Sequence, residues 1–320
     1  MTQLVAVDIG GTHARFALAE VADGKVVALG RETTLKTAEH ASFETAWEAF
    51  GRAQAQPLPP AAAIAVAGPV QGEVIRFTNS PWTIRRAQVD ARLGLERHVL
   101  VNDFAAVAHA VAQAGPEHFA HLCGPDVPLP GGTISVVGPG TGLGVAHVWR
   151  GAEGYRVQAS EGGHIDYAPT DAIEDAILAR LRQRHRRVSV ERVVAGPGLA
   201  EIYATLARLD DRAVRELEDT TLWALALGGE DPLAAAALER FCLALGGVAG
   251  DLALAQGAAA TVIAGGLGLR LKDVLPRSGF AERYRAKGRF EALMAALPVK
   301  LITHPQPGLF GAAAAFAQAV

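Results

Sequence analysis

Two glycine-rich segments of the sequence carry residue types that could bind phosphate. The first reads Asp8-Ile9-Gly10-Gly11-Thr12 and the second Gly138-Pro139-Gly140-Thr141-Gly142. Glycine lets backbone N–H groups approach an anion, consecutive N–H groups in a tight turn form a concave anion site, and the threonines add hydroxyl donors. Phosphate alone would repel a neighbouring carboxylate, so Asp8 indicates a bridging Mg²⁺. The alternative is a pair of ordinary glycine hairpins.

A polar pair, Asn102-Asp103, ends the apolar strand HVLVND. Strand C-termini in α/β sheets commonly carry site residues. A carboxylate there could act as a general base that accepts a hydroxyl proton during phosphoryl transfer. The alternative is that the pair only caps the helix expected over 104–114, and for this pair taken alone we favour capping.

A carboxylate and an imidazole follow the expected strand YRVQAS in the segment Glu161-Gly162-Gly163-His164. Both side chains converging on one spot would suit a polyhydroxylated ligand, although a surface turn explains the segment equally well. Zinc is a competing use, but no H-E-x-x-H or cysteine set completes a site. Glu191 reads most simply as a first-turn residue of a helix capped by Ser189.

The elements around the two glycine-rich segments follow one design. VAVDIGGTHARFAL and SVVGPGTGLGVAHV both read as strand, glycine–threonine turn, strand, which suggests an internal duplication. A Rossmann dinucleotide site needs a helix after its glycines, so this class is excluded. The sequence also lacks the G-x-x-x-x-G-K-[ST] motif of P-loop enzymes and the G-x-S-x-G motif of hydrolases.

Elsewhere, strands and crossover helices predict α/β layers. We expect a third strand over 25–34, a helix over roughly 84–93, and a proline- and glycine-rich loop from Gly115 to Gly132 at a domain boundary. The second half reads as mostly helical, with a helix over about 212–227. There the strand TVIA is followed by a glycine turn.

Length and composition limit the classes of protein further. The chain has 320 residues, of which 50% are hydrophobic and 20% charged, with a net charge of −3. A chain of this length can form two domains, each with its own hydrophobic core. A net charge so close to zero does not provide the positive electrostatic potential that attracts nucleic acid. Two cysteines, Cys123 and Cys242, cannot build a disulfide framework. The N-terminus does not resemble a signal peptide, and we interpret the uncharged stretch 252–269 as a helix end, a strand and a turn, which predicts a soluble cytoplasmic protein.

The motifs together resemble one family. DIGGTHAR, AVAGPV, TNSPW, VNDF, GPGTGLGVA, EGGH, ERVVAGPGL, IAGG and PGLFGAAA occur in the order seen in bacterial glucokinases, the hexokinase branch of the actin-like ATPase superfamily. The resemblance covers about residues 4–318. It implies an α/β, ribonuclease H-like fold with two domains, mixed five-stranded sheets and an interdomain cleft. The domains would be 1–114 with about 304–320, and 115–303.

The resemblance also implies a reaction and a set of site residues. The reaction is phosphorylation of D-glucose by ATP and Mg²⁺ at the 6-hydroxyl, with Asp103 as the base. Asn102, Glu161, His164 and Glu191 resemble the sugar ligands. The phosphate and nucleotide contacts implied are Asp8, Ile9, Gly10, Gly11, Thr12, Gly138, Gly140, Thr141, Gly265 and Gly266. A homodimer is expected from the family, and His13 and Pro139 depart from its usual pattern.

Two other functions stay open at this point. Sugar kinases of the repressor/open-reading-frame/kinase group share D-x-G-G-T and E-x-G-H, and include kinases of other hexoses and N-acetylhexosamines. They usually carry a cysteine-rich zinc motif after that histidine, whereas this sequence has no cysteine between His164 and Cys242. An actin-like nucleotide-dependent switch would need neither the Asn-Asp pair nor E-G-G-H.

Overall fold

The structure is a computed structural model that describes residues 1–68, 70–77 and 82–319. Pro69 of the AVAGPV motif and residues 78–81 of the TNSPW motif lie outside the described residues. The chain divides into two compact units. Unit 1 comprises residues 1–115, 157–159 and 304–320, and unit 2 comprises 116–156 and 160–303.

Unit 1 is built on a mixed sheet in the order β3-β2-β1-β5-β8, with β4 paired to β2. Its strands are β1 (Thr2–Ile9), β2 (His13–Ala22), β3 (Lys25–Leu29), β4 (Thr33–Lys36), β5 (Ala61–Val66) and β8 (Arg97–Asn102); β6 (Val74–Arg76) and β7 (Thr83–Arg85) form a separate hairpin. Strands β1, β5 and β8 are parallel, and β2 is antiparallel to β1.

Alternate residues of β1 enter two different cores, because successive side chains of a strand point to opposite faces. Val5, Val7 and Ile9 join a cluster with aromatic residues of α1 (Phe43–Arg52). Leu4 and Ala6 join a second cluster with α3 (Asp103–Gln113) and the last helix, α12 (Pro307–Ala319). Helix α2 (Val89–Leu93) completes the unit. Asp8 therefore lies on the α12 side of the sheet.

Unit 2 is built on a sheet in the order β12-β11-β10-β13-β14-β9. Its strands are β9 (Phe119–Cys123), β10 (Gly132–Pro139), β11 (Leu143–Gly151), β12 (Gly154–Ser160), β13 (Ala260–Ile263) and β14 (Val299–Ile302). Strands β10, β13 and β14 are parallel, and β11 is antiparallel to β10. The first five positions repeat the topology of the unit 1 sheet, as the internal duplication suggests.

The helices of unit 2 include the longest of the described elements, α8. They are α4 (Ala172–Arg182), α5 (Glu191–Val194), α6 (Gly198–Leu209), α7 (Asp219–Gly228), α8 (Pro232–Ala255), α9 (Gly265–Arg270), α10 (Phe280–Arg285) and α11 (Glu291–Ala295). Within the described ranges, only α8 is long and apolar enough to cross a membrane, yet 67% of its most apolar window is buried in the fold. That burial is typical of a core helix in a soluble protein.

The α/β fold class is confirmed, and several local expectations are corrected. Each main sheet has six strands in the described part of the chain, one more than the five expected. The additional strand is β4 in the unit 1 sheet and β9 in the unit 2 sheet. The expected strand over 25–34 is interrupted at Gly30, so that β3 and β4 both pair with β2.

Three further element predictions were wrong in part. The helix expected over 84–93 covers only residues 89–93, because residues 83–85 form the strand β7, which pairs with β6. The loop expected from Gly115 to Gly132 contains β9, which takes the open edge of β14. The helix expected over 212–227 begins at Asp219 instead.

Candidate functional site

In unit 1, the polar segments follow neighbouring parallel strands at one edge of the sheet. Ile9 at the end of β1 is in register with Val66 of β5, and Val66 is in register with Asn102 of β8. The turn 10–12 and the pair Asn102-Asp103 therefore leave the sheet on the same side. Ligands of open α/β sheets bind outside the carboxyl ends of the strands, so this edge is a candidate site.

The turn 10–12 is closed by its own backbone and by hydrogen bonds from Thr37. Gly10 N donates to His13 O over 2.9 Å, and Thr37 donates through its backbone N to Thr12 O and through its hydroxyl to Gly11 O. These bonds occupy carbonyl oxygens of the turn. The Thr12 hydroxyl is 2.9 Å from His13 Nδ1, so the residue that departs from the family pattern contacts a predicted phosphate ligand.

Asp8 is a partly buried carboxylate with a cationic neighbour. Its Oδ2 is 3.4 Å from Arg15 Nη1. Burial raises the pKa of Asp8, and the Arg15 guanidinium opposes that rise by favouring the charged form. A carboxylate held beside a single arginine can still share a divalent cation with phosphate oxygens, which is the usual way that Mg²⁺ binds with nucleotides.

Asn102 and Asp103 form the beginning of α3. Asn102 is its N-cap, since its Oδ1 accepts hydrogen bonds from Phe104 N and Ala105 N, both at 3.0 Å. Its Nδ2 donates to Gly68 O and to Asp103 Oδ1, both at 3.1 Å. Phe104 N also donates to Asp103 Oδ1, at 2.8 Å. The capping interpretation is thus correct for Asn102, and the same bonds fix the orientation of the Asp103 carboxylate.

In unit 2, Glu191 contacts the predicted phosphate loop, which we define as residues 138–142. Its Oε2 accepts a hydrogen bond from Leu143 N at 2.8 Å, and a Cβ added to Gly142 would lie 2.6 Å from that oxygen. Glycine at 142 is what permits this approach. Glu191 is the first residue of α5, as expected, but Val190 rather than Ser189 holds the N-cap position.

The imidazole of His164 lies between two carboxylates. Its Nε2 is 3.9 Å from Glu161 Oε2 and its Nδ1 is 4.0 Å from Glu191 Oε1. The His164 carbonyl accepts a hydrogen bond from Arg187, which also pairs with Asp166. The structure thus brings all three predicted unit 2 sugar ligands together.

Gly265 also lies beside the loop 138–142, and neither Gly265 nor Gly266 is in a turn. They begin α9, which corrects the expectation of a glycine turn after β13. Gly265 has φ +78, and a Cβ there would lie 2.6 Å from Pro139 O. The two segments meet because β10 and β13 are parallel neighbours, with Val137 in register with Ile263.

Sequence reasoning missed several residues that position these groups. Arg15 pairs with Asp8, the Gly68 carbonyl holds Asn102, and the Leu143 amide holds Glu191. Gly308 contacts Asp8 and was missed as well. Motif membership was the available signal for all four residues: Arg15 lies in DIGGTHAR, Gly68 in AVAGPV, Leu143 in GPGTGLGVA and Gly308 in PGLFGAAA. No group of three or more His, Cys, Asp or Glu side chains able to hold a metal ion occurs in the residues that the structure describes.

Comparison with solved structures defines the class of the fold as that of actin-like ATPases. A crystal structure of glucokinase from an Antarctic psychrotroph superposes with a TM-score of 0.87 at 33% identity and 98% coverage of both chains. A glucokinase of the ROK family from Streptomyces griseus, in complex with glucose and AMPPNP, shares the fold with a TM-score of 0.62 at 21% identity. The superposed region covers 99% of this chain and 100% of the Streptomyces chain.

The family is shown by sequence as well. The glucokinase family model matches residues 4–319. The glucokinase of Zymomonas mobilis is 59% identical over 316 residues, 98% of each chain. The chain belongs to the glucokinase family, and the expected enzyme class, ATP-dependent phosphorylation of glucose, is confirmed.

Proposed function

We propose that the chain transfers the γ-phosphoryl group of ATP to the 6-hydroxyl of D-glucose, with Asp103 as the general base. The observation that carries this proposal is the fixed orientation of Asp103. Its Oδ1 accepts from Phe104 N at 2.8 Å and from Asn102 Nδ2 at 3.1 Å, at the sheet edge that also bears the turn 10–12. A base must be oriented before it can accept a proton in the transition state.

The proposed step moves one proton and one phosphoryl group. Asp103 takes the proton of the 6-hydroxyl while the hydroxyl oxygen bonds to the γ-phosphorus, and the bond from that phosphorus to the bridging oxygen breaks to release ADP. The protein's main contribution to such a reaction is positioning and charge stabilisation.

Sugar binding is proposed for Asn102, Glu161, His164 and Glu191. The three unit 2 side chains offer carboxylate acceptors on both sides of an imidazole within 4.0 Å. Alternating acceptors and donors suit vicinal hydroxyls, because each hydroxyl both donates and accepts. A ROK-family glucokinase with the same fold is described in complex with glucose, which supports glucose as the sugar.

Nucleotide binding is proposed for Asp8 to Thr12 in unit 1 and for Gly138, Gly140, Thr141, Gly265 and Gly266 in unit 2. The AMPPNP-bound relative supports ATP as the phosphoryl donor. Asp8 would share Mg²⁺ with the phosphate oxygens, since a single carboxylate with nucleotide phosphates and waters meets the ion's preference for oxygen. The bound ion would supply charge neutralisation on the transferring phosphate.

Other parts of the proposal rest on family membership. We propose a homodimer that works in the cytoplasm, with glucose and ATP as its ligands and with no nucleic acid or membrane as a partner. The net charge of −3 is consistent with the absence of a nucleic-acid partner.

A coupled assay of ADP formation with glucose, mannose, fructose and N-acetylglucosamine tests the function. We expect the highest kcat/KM with glucose and little ATP turnover without sugar. Preference for N-acetylglucosamine or mannose would favour another hexose kinase of the superfamily. ATP turnover that no sugar stimulates would favour the nucleotide-dependent switch and contradict the proposal.

A further inference from the structure

Trp223 is a buried residue of α7 that lies outside the predicted site. Its side chain is 4% exposed and stands edge-on to Phe241 of α8, with the ring centroids 5.2 Å apart. The indole Nε1 donates a hydrogen bond to Gly196 O over 3.0 Å. A buried indole N–H needs a partner, and here the partner is a backbone carbonyl in the segment after α5.

Gly196 connects Trp223 to the loop 138–142. Its backbone N donates to Gly140 O over 2.7 Å, and Gly140 N donates to Gly142 O over 2.8 Å. A Cβ added to Gly196 would lie 3.2 Å from Gly140 O, so the two backbones are closely packed. The middle of the loop is therefore held by the residue that Trp223 binds.

The other end of the loop is held by the same short segment of chain. Leu143, the residue that follows the loop, donates its backbone N–H to Glu191 Oε2 over 2.8 Å. Glu191 lies five residues before Gly196. Residues 191–196 thus contact the loop at two points, once through a carboxylate that is a predicted sugar ligand and once through a peptide group. Only the second point is anchored to the core by Trp223.

We infer that Trp223 is a positioning residue for the loop 138–142 and acts through Gly196. Its role is to keep the loop's N–H groups in the arrangement that binds nucleotide phosphate, so the inference rests on the proposed nucleotide role of this loop. Because Glu191 has its own bond to Leu143, loss of the indole N–H affects nucleotide binding rather than sugar binding.

Calorimetric titration of Trp223→Phe with AMPPNP and Mg²⁺, and separately with glucose, tests the inference. Phenylalanine keeps an aromatic ring against Phe241 and removes the N–H donor. We expect the Kd for AMPPNP to rise about 3- to 10-fold, the usual effect of one lost hydrogen bond, with the Kd for glucose unchanged. Titration requires no turnover, so a protein that binds AMPPNP but fails to phosphorylate glucose contradicts the proposed function and not this inference.

Trp149→Phe is the matched control, because it makes the same tryptophan-to-phenylalanine substitution at a residue of β11 that is 50% exposed. Gly196→Ala is a second variant, in which the added Cβ would lie 3.2 Å from Gly140 O while Trp223 stays unchanged. It should weaken AMPPNP binding in the same way. Equal AMPPNP affinity for Trp223→Phe and Trp149→Phe overturns the inference. A parallel loss of glucose affinity, or an unaltered protein that does not bind AMPPNP, also overturns it.

Discussion

The carboxylate of Asp8 lies directly against the backbone of Gly308, in the first turn of α12. A Cβ added to Gly308 would lie 2.5 Å from Asp8 Oδ2 and 2.8 Å from its Cγ. The sequence separates the two residues by almost the whole chain, and the fold joins them because α12 covers the β1 face that bears Asp8. Even the smallest side chain at 308 must therefore move the carboxylate.

Gly308→Ala should lower the kcat for glucose phosphorylation on the order of 10²-fold, because an ångström-scale displacement of a catalytic group can cost that much. Steady-state rates at saturating ATP, Mg²⁺ and glucose measure the effect. Gly228→Ala, where the added Cβ meets only Glu230 at 3.7 Å, is the control. Equal kcat values for the two variants would show that Asp8 adapts without loss.

Asp103→Asn keeps the size and acceptor geometry of the side chain and removes its ability to take a proton. Turnover should fall by about 10²–10⁴-fold with little change in ATP binding, the range for loss of a general base. Asp23→Asn in the β2–β3 turn is the control, because asparagine tolerates its φ of 51°. Near-normal turnover of Asp103→Asn would eliminate the assignment.

Gly142→Ala should raise the KM for glucose by about 10-fold or more, since its Cβ displaces the Glu191 carboxylate from Leu143 N and hydrogen bonds to charged groups are the stronger ones. Initial rates over a range of glucose concentrations measure it. Gly131→Ala, whose Cβ would meet Arg150 O at 3.7 Å, serves for comparison. The assignment of Glu191 as a sugar ligand fails if both variants keep the parent KM.

Activity should depend on Mg²⁺ and not on zinc. No cluster of metal-binding side chains occurs among the described residues, and Asp8 is the carboxylate placed beside a predicted phosphate turn. A zinc-selective chelator with excess Mg²⁺ should leave the rate unchanged, while removal of Mg²⁺ abolishes it. Stoichiometric zinc that is lost together with activity would refute this expectation.

The pH dependence of stability should report on His109, which lies buried in α3. Burial lowers the pKa of His109 from 6.5 to about 4. Between these pH values the unfolded chain binds a proton that the folded chain does not, so the free energy of unfolding falls as the pH drops from 6.5 toward 4. The loss attributable to this residue is about 3 kcal/mol.

Urea unfolding at pH 7, 6, 5 and 4 measures this slope. His109→Gln should flatten the decline below pH 6.5, whereas His121→Gln at an exposed position should leave it unchanged. If both variants lose stability in parallel with the parent, His109 is not the group responsible.

Local patterns carried most of the predictable information. The two strand–turn–strand segments were found because glycine and threonine stand between apolar runs, and Asn102 because N-caps follow residue type closely. The edge strand β9 was missed because its residues lie in a proline- and glycine-rich segment, where composition favours a loop and only pairing with β14 makes a strand.

Contacts between distant residues could not be read from the sequence. Glu191 looked like an ordinary first-turn residue, and it is one, but its bond to Leu143 spans 48 residues. Trp223 carries no motif, since its role depends on where α7 places an indole relative to Gly196. Such groups act through tertiary geometry, which leaves no local spacing to recognise.

Helix α12 is the last described helix of the chain, yet it covers a sheet made from the first 102 residues. A ribosome that adds about 5–20 residues per second needs roughly 10–40 s to proceed from α3 to α12. During that interval the alanine-rich face of β1 and β5 lacks Leu309, Ala312 and Phe316. The sheet that is synthesised first therefore keeps part of this apolar face uncovered until α12 has been synthesised.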